Sequence, residues 1–366
     1  MGELMVEMTG QDRWGYDYDI AVCHDCDGCY LVEKELMPQR CPICFKEMLV
    51  TVNVEMNSSL NIAPPEFVLP FKLSHNAIFQ VLEEFGRGFP FPPVDLTPDH
   101  LVDRLHRLYL PIWLVDTLVS ATWEMQAGFQ YQVVSHQDQY DDRRRGWVTR
   151  EVNETRVRWE PRLGQLRREY QNIPAPALEE TNLSRGMLIS NHPESWQAYQ
   201  PDLTSRTLVR LPQRGIEDAW NDIQPHVQGI ARDECQVAAE ADEVRDFQWS
   251  PEFDQQEWTL LLQPVYSTYY VDDNGQPCPI LLDGINGKVM GKKVASSQRA
   301  KNTSWIIIAI AVCIALMSVL IGILGIIMPV LLPLGLLGLV VAVFVGGGAL
   351  LPPVIAWQFN RSQEIT

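Results

Sequence analysis

Five of the chain's eight cysteines fall between positions 23 and 44, as Cys23-His24-Asp25-Cys26-Asp27-Gly28-Cys29 and then Cys41-Pro42-Ile43-Cys44. Two Cys-x-x-Cys pairs separated by a dozen or so residues have zinc-ribbon spacing. Each pair can form a tight knuckle whose amides face two thiolates, and four thiolates satisfy a tetrahedral zinc ion. The predicted ligands are Cys23, Cys26, Cys41 and Cys44. Cys29 is the alternative in the first knuckle, because Cys26 and Cys29 also have knuckle spacing. A redox pair and a rubredoxin-like iron site are the other readings of the same residues. Four protein ligands leave no open coordination position, so the metal is expected to be structural rather than catalytic. His24 reads as a solvated knuckle residue, and Cys235, Cys278 and Cys313 as scattered, packed residues.

No second constellation competes with this one. The chain has no Gly-x-Ser-x-Gly elbow, no His-Glu-x-x-His, no Gly-x-Gly-x-x-Gly and no phosphate-binding Gly-x-x-x-x-Gly-Lys-Ser/Thr loop. His75, His100 and His106 lie on or beside predicted helices, where solvated faces explain them. His192 sits in the loop sequence Asn191-His192-Pro193-Glu194.

The elements that must carry the knuckles start with an apolar run. Of 366 residues, Ser304 to Phe359 contain no charged side chain. A bilayer core takes about 20 apolar residues per helix, so the run suffices for two. Pro329 and Pro333 bracket the break between them. The predicted helices are 304–327 and 332–357, joined as a transmembrane hairpin and followed by a tail, 358–366. The same-face spacing of Ser318 with Gly322, and of Gly338 with Ala342 and Gly346, suits close helix packing, chiefly within the hairpin itself. Lys288, Lys292, Lys293, Arg299 and Lys301 precede the first helix and Arg361 follows the second, so both termini are predicted to be cytoplasmic. No signal segment is expected at the N-terminus. In a cytosolic setting the thiols stay reduced.

The net charge is −17, and it resides on residues 1–301. An acidic surface repels phosphate backbones. Within the cysteine segment Asp25, Asp27, Glu33 and Glu35 outnumber Lys34 and Arg40, so no nucleic acid is expected as a partner.

Between ribbon and hairpin the pattern is α+β with antiparallel sheet. After a polar link at 57–65, Ser74 caps a helix carrying Ile78, Phe79, Val81, Leu82 and Phe85, and Gly86 stops it. Thr97 caps a second, with Leu101, Val102, Leu105 and Leu108 on one face. The period changes to strand at 109–113, and a β-like stretch from Leu118 to about Leu166 is broken by the turn 141–146, whose three arginines read as a charged hairpin tip. A helix is predicted over 216–239, kinked or interrupted at Pro225. Strands at 258–270 and 280–282 with turns at 272–275 and 286–287 read as a meander. The predicted organisation is a tail (1–15), a zinc ribbon (16–52), an acidic α+β domain (60–287), a basic juxtamembrane linker (288–303) and the hairpin.

The order of zinc ribbon, Leu69-Pro70-Phe71-Lys72, Tyr109-Leu110-Pro111-Ile112-Trp113 with Asp116, Arg158-Trp159-Glu160-Pro161 with Gly164, Leu261-Leu262-Gln263-Pro264-Val265-Tyr266, and Asp283-Gly284-x-x-Gly287-Lys288-Val289 before a membrane helix resembles a bacterial family. Its members are zinc-ribbon membrane proteins, often labelled as having a transcription-factor-IIB-type zinc ribbon or as primosomal-helicase-like. The extra Cys29 and the region 182–248 depart from the pattern. The resemblance implies no established reaction. It implies a membrane-anchored adaptor in the bacterial cytoplasmic membrane, encoded in some relatives with phage-shock-like and flotillin-like (SPFH) membrane-stress proteins.

The expected function is therefore a scaffold held by the lipid bilayer, with a structural Zn2+ site and an acidic domain offered to cytosolic or membrane protein partners. The alternative is a membrane-proximal enzyme acting on lipid or on a membrane protein. A cleft with converging, strongly shifted titratable groups would favour the enzyme.

Overall fold

Three long strands, of 36, 31 and 29 residues, make up most of the β structure. The computed structural model describes residues 14–52, 63–141, 145–179 and 193–364. Most of the tail 1–15, part of the link 57–65, residues 142–144 of the tip and His192 lie outside them. The described strands are β1 (Asp19–Val22), β2 (Cys29–Val32), β3 (Val50–Val52), β4 (Phe67–Val68), β5 (His106–Asp141), β6 (Gly146–Pro176), β7 (Gln197–Ala198), β8 (Leu208–Arg210), β9 (Glu243–Val271), β10 (Pro277–Asp283) and β11 (Val289–Gly291). The helices are α1 (His75–Arg87), α2 (Pro98–Asp103), α3 (Pro201–Thr204), α4 (Ile216–Ala238), α5 (Ser297–Ile327), α6 (Leu332–Gly348) and α7 (Leu351–Glu364).

The chain divides into two units. The first takes the described residues of Met1–Pro111, Glu180–Gln213 and Leu262–Thr366; the second takes Ile112–Glu179 and Arg214–Leu261. Two of the four crossings between them fall inside long strands, at Pro111–Ile112 in β5 and Leu261–Leu262 in β9.

In the first unit the strands run in the order β11-β10-β9-β5-β8-β2-β1-β3. Strands β10 and β11, β9 and β10, β8 and β2, β2 and β1, and β1 and β3 pair antiparallel, whereas β5 and β8 run parallel through Leu108 with Leu208 and Tyr109 with Val209. One parallel step thus enters the expected antiparallel sheet: β8 returns to it after a long connection, which leaves it free to enter in either direction. One apolar cluster joins Ile78, Leu82 and Phe85 of α1 to Tyr266, Tyr270, Ile280 and Leu282. Another joins Trp14, Tyr18, Ile20 and Leu31 to Tyr109, Val209 and Leu262.

The N-caps fall where the sequence places them, but the first helix runs through Gly86 to Arg87 and ends at Gly88. The Ser74 hydroxyl accepts from the Ala77 amide at 3.3 Å and the Thr97 hydroxyl from the His100 amide at 3.4 Å. The second helix, however, stops at Asp103, and Leu105 and Leu108 are not on it. The Thr268 hydroxyl donates to the Leu101 carbonyl at 2.6 Å, and the Leu105 amide turns back to Val102. With that carbonyl engaged the next turn does not form, and His106 opens β5 instead.

In the second unit, β5 and β6 pair antiparallel along their shared length up to the turn at Asp141 and Gly146. Helix α4 lays Ala219, Ile223, Val227, Ala231 and Cys235 along one buried stripe. The first four pack on Val115, Val119, Tyr170, Ile173 and Ala175. Full burial of each Ile or Val is worth about 1.5–3 kcal/mol. Contrary to expectation, α4 continues through Pro225 without interruption. Proline removes one amide donor, and the apolar stripe on either side holds the helix across the gap.

The C-terminal run forms two helices long and apolar enough to cross a membrane, Ser297–Ile327 and Leu332–Gln363, with mean hydropathy 3.1 and 2.4. The second comprises α6 and α7. A Cβ on Gly335 would stand 2.9 Å from the Gly322 backbone, so glycine there lets α5 and α6 approach closely. The stretch 288–303 carries β11 and the first turns of α5, and α7 extends through the expected tail to Glu364.

Candidate metal centre

Strand β1 delivers the chain to the first knuckle and β2 carries it away, in register through Val22 and Cys29. The Cys23 amide donates to the Gly28 carbonyl at 2.9 Å and the Cys41 amide to the Glu47 carbonyl at 2.8 Å, so both loops close the same way. Each has a residue in left-handed backbone just after its second cysteine, Asp27 (φ 49°) and Phe45 (φ 55°). That turn aims both thiols of a pair into the same space.

The Sγ atoms of Cys23, Cys26, Cys41 and Cys44 lie within 4.8 Å of one another. Cys23 and Cys44 are 3.6 Å apart, as are Cys26 and Cys41. Four thiolates about 2.3 Å from a tetrahedral ion stand roughly 3.8 Å from each other, so the donor set fits such an ion in chemistry and in size. Cys29 is on β2 with its side chain against the Trp14 and Tyr18 cluster, outside the four. His24 is exposed. Cys235 and Cys278 are buried in separate cores, and Cys313 is exposed on α5.

Protonation is shared across the cluster. Contacts from Cys26, Cys44 and the Tyr30 hydroxyl hold Cys41 well below the usual thiol range. Cys26 is pushed up, chiefly by its contact with Cys41. The two thiols titrate as one coupled pair. Burial raises Cys23 to about 11.

A second layer holds the knuckles. The Tyr30 hydroxyl reaches Cys41 Sγ at 3.2 Å from a fully buried side chain. A Cβ on Gly28 would meet that hydroxyl at 2.8 Å, so the glycine gives it room. The Arg210 guanidinium stands 5.8 Å from the Tyr30 ring centre and donates to Gln213 at 3.0 Å, and Gln213 donates to the Asp27 carbonyl at 2.9 Å. Four thiolates around a divalent ion carry a net negative charge, and a buried arginine offsets part of it. On the other knuckle, the Ser267 hydroxyl donates to the Pro42 carbonyl, and Phe45 packs 4.5 Å from Tyr269 and 6.2 Å from His106. Lys46 and Asp25 join the knuckles at 3.1 Å on the surface.

His106 is therefore not a solvated helix residue. It opens β5, half-buried, and burial lowers its pKa. The sequence reading also missed Tyr30, Arg210, Gln213 and Ser267. Gly28 and Tyr30, adjoining the first knuckle, carry a local signal; the other three come from distant parts of the sequence and have none.

Away from the metal centre, the displaced titratable groups include buried tyrosines and the Asp95–Arg104 pair. Cys235 borders a groove, and burial raises it to about 11, which keeps the thiol protonated and a poor nucleophile.

Compared with protein-family models, with curated proteins and with solved structures, the chain has no match.

Proposed function

We propose that the chain is a membrane-anchored scaffold with a structural zinc site, presenting its folded units to protein partners on the cytoplasmic face of a bacterial membrane. The observation that carries this reading is that the thiol cluster and the apolar hairpin are tied into one unit by side chains of the same strands. Ser267 of β9 holds the second knuckle. Three residues on, Tyr270 accepts from the Val294 amide at 2.9 Å and donates to the Lys292 carbonyl at 2.8 Å. The Asn360 side chain then pairs with both backbone groups of Ala295, at 2.7 and 3.1 Å, and Phe359 packs against Phe89. A closed metal site coupled in this way to membrane helices suits positioning rather than turnover.

The four-thiolate set accepts zinc or iron, and metal analysis distinguishes them. The side chains from Trp305 to Phe344 are largely exposed, as lipid-facing residues are. The basic flank Lys292, Lys293, Arg299 and Lys301, with Arg361, supports cytoplasmic termini and contact with anionic headgroups. The zinc-ribbon membrane family, with its phage-shock-like and SPFH neighbours, supplies the expected class of partner. The acidic ribbon argues against nucleic acid.

The test is capture of the full chain from membranes in mild detergent, with metal analysis and protease protection on both faces. One zinc per chain, protection from outside and a membrane-stress partner are expected. Digestion from outside intact cells, or metal-free protein with an ordered ribbon, overturns the reading.

A further inference from the structure

Between α1 and α2 the chain runs Gly88-Phe89-Pro90-Phe91-Pro92-Pro93-Val94, without a charged or hydrogen-bonding side chain. Within the first unit this loop lies against the foot of the apolar helices. The Phe91 carbonyl accepts from the Ser296 amide at 2.7 Å, just before α5. The Phe91 side chain packs against the cluster of Ala295, Ala300 and Ala356, which joins the start of α5 to α7. Phe89 stands 6.0 Å, ring to ring, from Phe359 of α7. Pro90 is exposed, and Val94 is 70 % exposed. Pro90, Pro92 and Pro93 carry no amide hydrogen, so only three amides remain between Phe89 and Val94. A loop of this composition leaves water at little cost in lost backbone hydrogen bonds.

The contacts also fix the height of the loop along the helices. Trp357 follows Ala356 directly, and Trp305 lies five residues past Ala300, about 7.5 Å along the axis. Both indoles are exposed, as tryptophans in a headgroup layer are. Cations share this level. Arg299, Lys301 and Arg361 are exposed, and the Arg361 guanidinium stands 5.2 Å from the Trp357 ring centre. The Lys293 ammonium stands 5.2 and 5.9 Å from the ring centres of Phe85 and Phe89. Acids are present too, but several are held by hydrogen bonds. Asp95 binds Arg104 and the Val271 amide, Asp272 the Asn274 and Gln276 amides, and Asp273 the Ser296 hydroxyl and the Gln298 amide. Glu83 pairs with Arg87, while Glu84 and Asp99 are exposed on the flanking helices, outside the loop.

We infer that the Phe89–Val94 loop is a membrane seat, entering the headgroup layer of an anionic leaflet beside the helices. The seat rests on the hairpin spanning a bilayer, as proposed above, and adds a place where the folded unit itself touches lipid. Apolar side chains at this depth leave water for the boundary between headgroups and acyl chains. Lys293, Arg299, Lys301 and Arg361 face the lipid phosphates at the same level, and that attraction holds the loop down. With one contact through the helices and another through the loop, the first unit keeps a fixed tilt on the membrane instead of turning freely on a tether.

Depth-dependent quenching of the full chain in lipid nanodiscs tests this. A fluorescent unnatural amino acid replaces Val94, Trp305 or Leu36, one per sample, and the discs carry lipid spin-labelled at the headgroup. All three side chains are exposed, so circular dichroism and metal content should be unchanged. In discs of phosphatidylglycerol and phosphatidylcholine, the probes at 94 and 305 should be quenched and the probe at 36, in the ribbon, should not. In discs of phosphatidylcholine alone, quenching at 94 should fall at least twofold while quenching at 305 stays the same. Quenching at 305 without quenching at 94 overturns the seat and leaves the membrane reading intact. Equal quenching at 94 in both lipids, or quenching at 36 as strong as at 94, also overturns the seat. No quenching at 305 overturns the membrane reading itself, and the seat with it.

Discussion

The two units hold their shape by different means. In the first, short strands and loops from distant parts of the sequence are joined by single polar side chains: Tyr30 on Cys41, Gln213 on the first knuckle, Ser267 on the second, Asn360 on Ala295. In the second, two long strands pair with a register shift beside Asp116, and one amphipathic helix packs on part of their length. A unit of locks fails when one lock is removed. A unit of repeated apolar contacts loses stability in proportion to what is cut away, and its strands can outrun its core, as β5 and β6 do between Phe129 and Glu169, where none of the described residues is buried.

The largest effect is expected at the metal. A structural zinc supplies on the order of 10 kcal/mol of folding energy in small modules. Cys41→Ser should release the ion and, because Phe45, Ser267 and β8 tie the knuckles to the sheet, expose amides in β1, β2, β8 and the Ser267–Tyr270 part of β9 to hydrogen exchange. Amides of α4 and β6 should keep their protection. Exchange confined to residues 19–52 would instead mean that the ribbon folds alone and the locks matter little.

Ile223→Ala cuts the other unit. Ile223 is buried between α4 and the sheet, and large-to-small changes of this kind cost about 2–5 kcal/mol. Denaturant unfolding followed by tryptophan fluorescence should shift while metal content stays the same. Loss of metal in this variant would show that the two units do not fail separately.

Tyr30→Phe is a smaller, sharper cut. The hydroxyl that reaches Cys41 disappears and the ring remains. Loss of such a supporting partner weakens metal binding about 10–100-fold, and competition with a chelator measures it. Gly28→Ala should act in the same direction by displacing that hydroxyl. Unchanged affinity in both would reduce Tyr30 to a packing residue.

What could be read from the sequence follows this same division. The ligand spacing of Cys23, Cys26, Cys41 and Cys44 is local, and the structure brings those four thiols together. The caps at Ser74 and Thr97, the turn before Gly146 and the apolar hairpin are local as well. The early end of α2 was not legible, since the hydroxyl that occupies the Leu101 carbonyl comes from Thr268. The parallel entry of β8 and the closeness of Arg210 to Tyr30 depend on the same kind of distant meeting. Pro225 misled in the other direction: a local rule against helix was outweighed by the packing of Ile223 and Val227.

The smallest effect belongs to one more lock in the first unit. The Asp95 carboxylate accepts from both terminal nitrogens of Arg104, at 2.5 and 2.9 Å, and from the Val271 amide at 2.8 Å, fixing the loop before α2 to the end of β9. The Arg104 hydrogen bonds hold its pKa below the ordinary value. A carboxylate whose folded pKa is depressed binds its proton later in the folded state than in the unfolded one. Its stabilisation is therefore complete above the unfolded pKa of about 3.9 and is lost as pH falls through the folded value. The pair is partly exposed, so its worth is on the order of 1 kcal/mol. Thiolate protonation also weakens the metal centre in acid, so the measurement is a difference. Urea midpoints of wild type and Asp95→Asn, taken from pH 6 down to about 3, should lie furthest apart at the top of that range and converge toward the bottom. Parallel curves would mean that Asp95 serves through its shape and not its charge, and the first unit would then have one electrostatic lock fewer than its hydrogen bonds suggest.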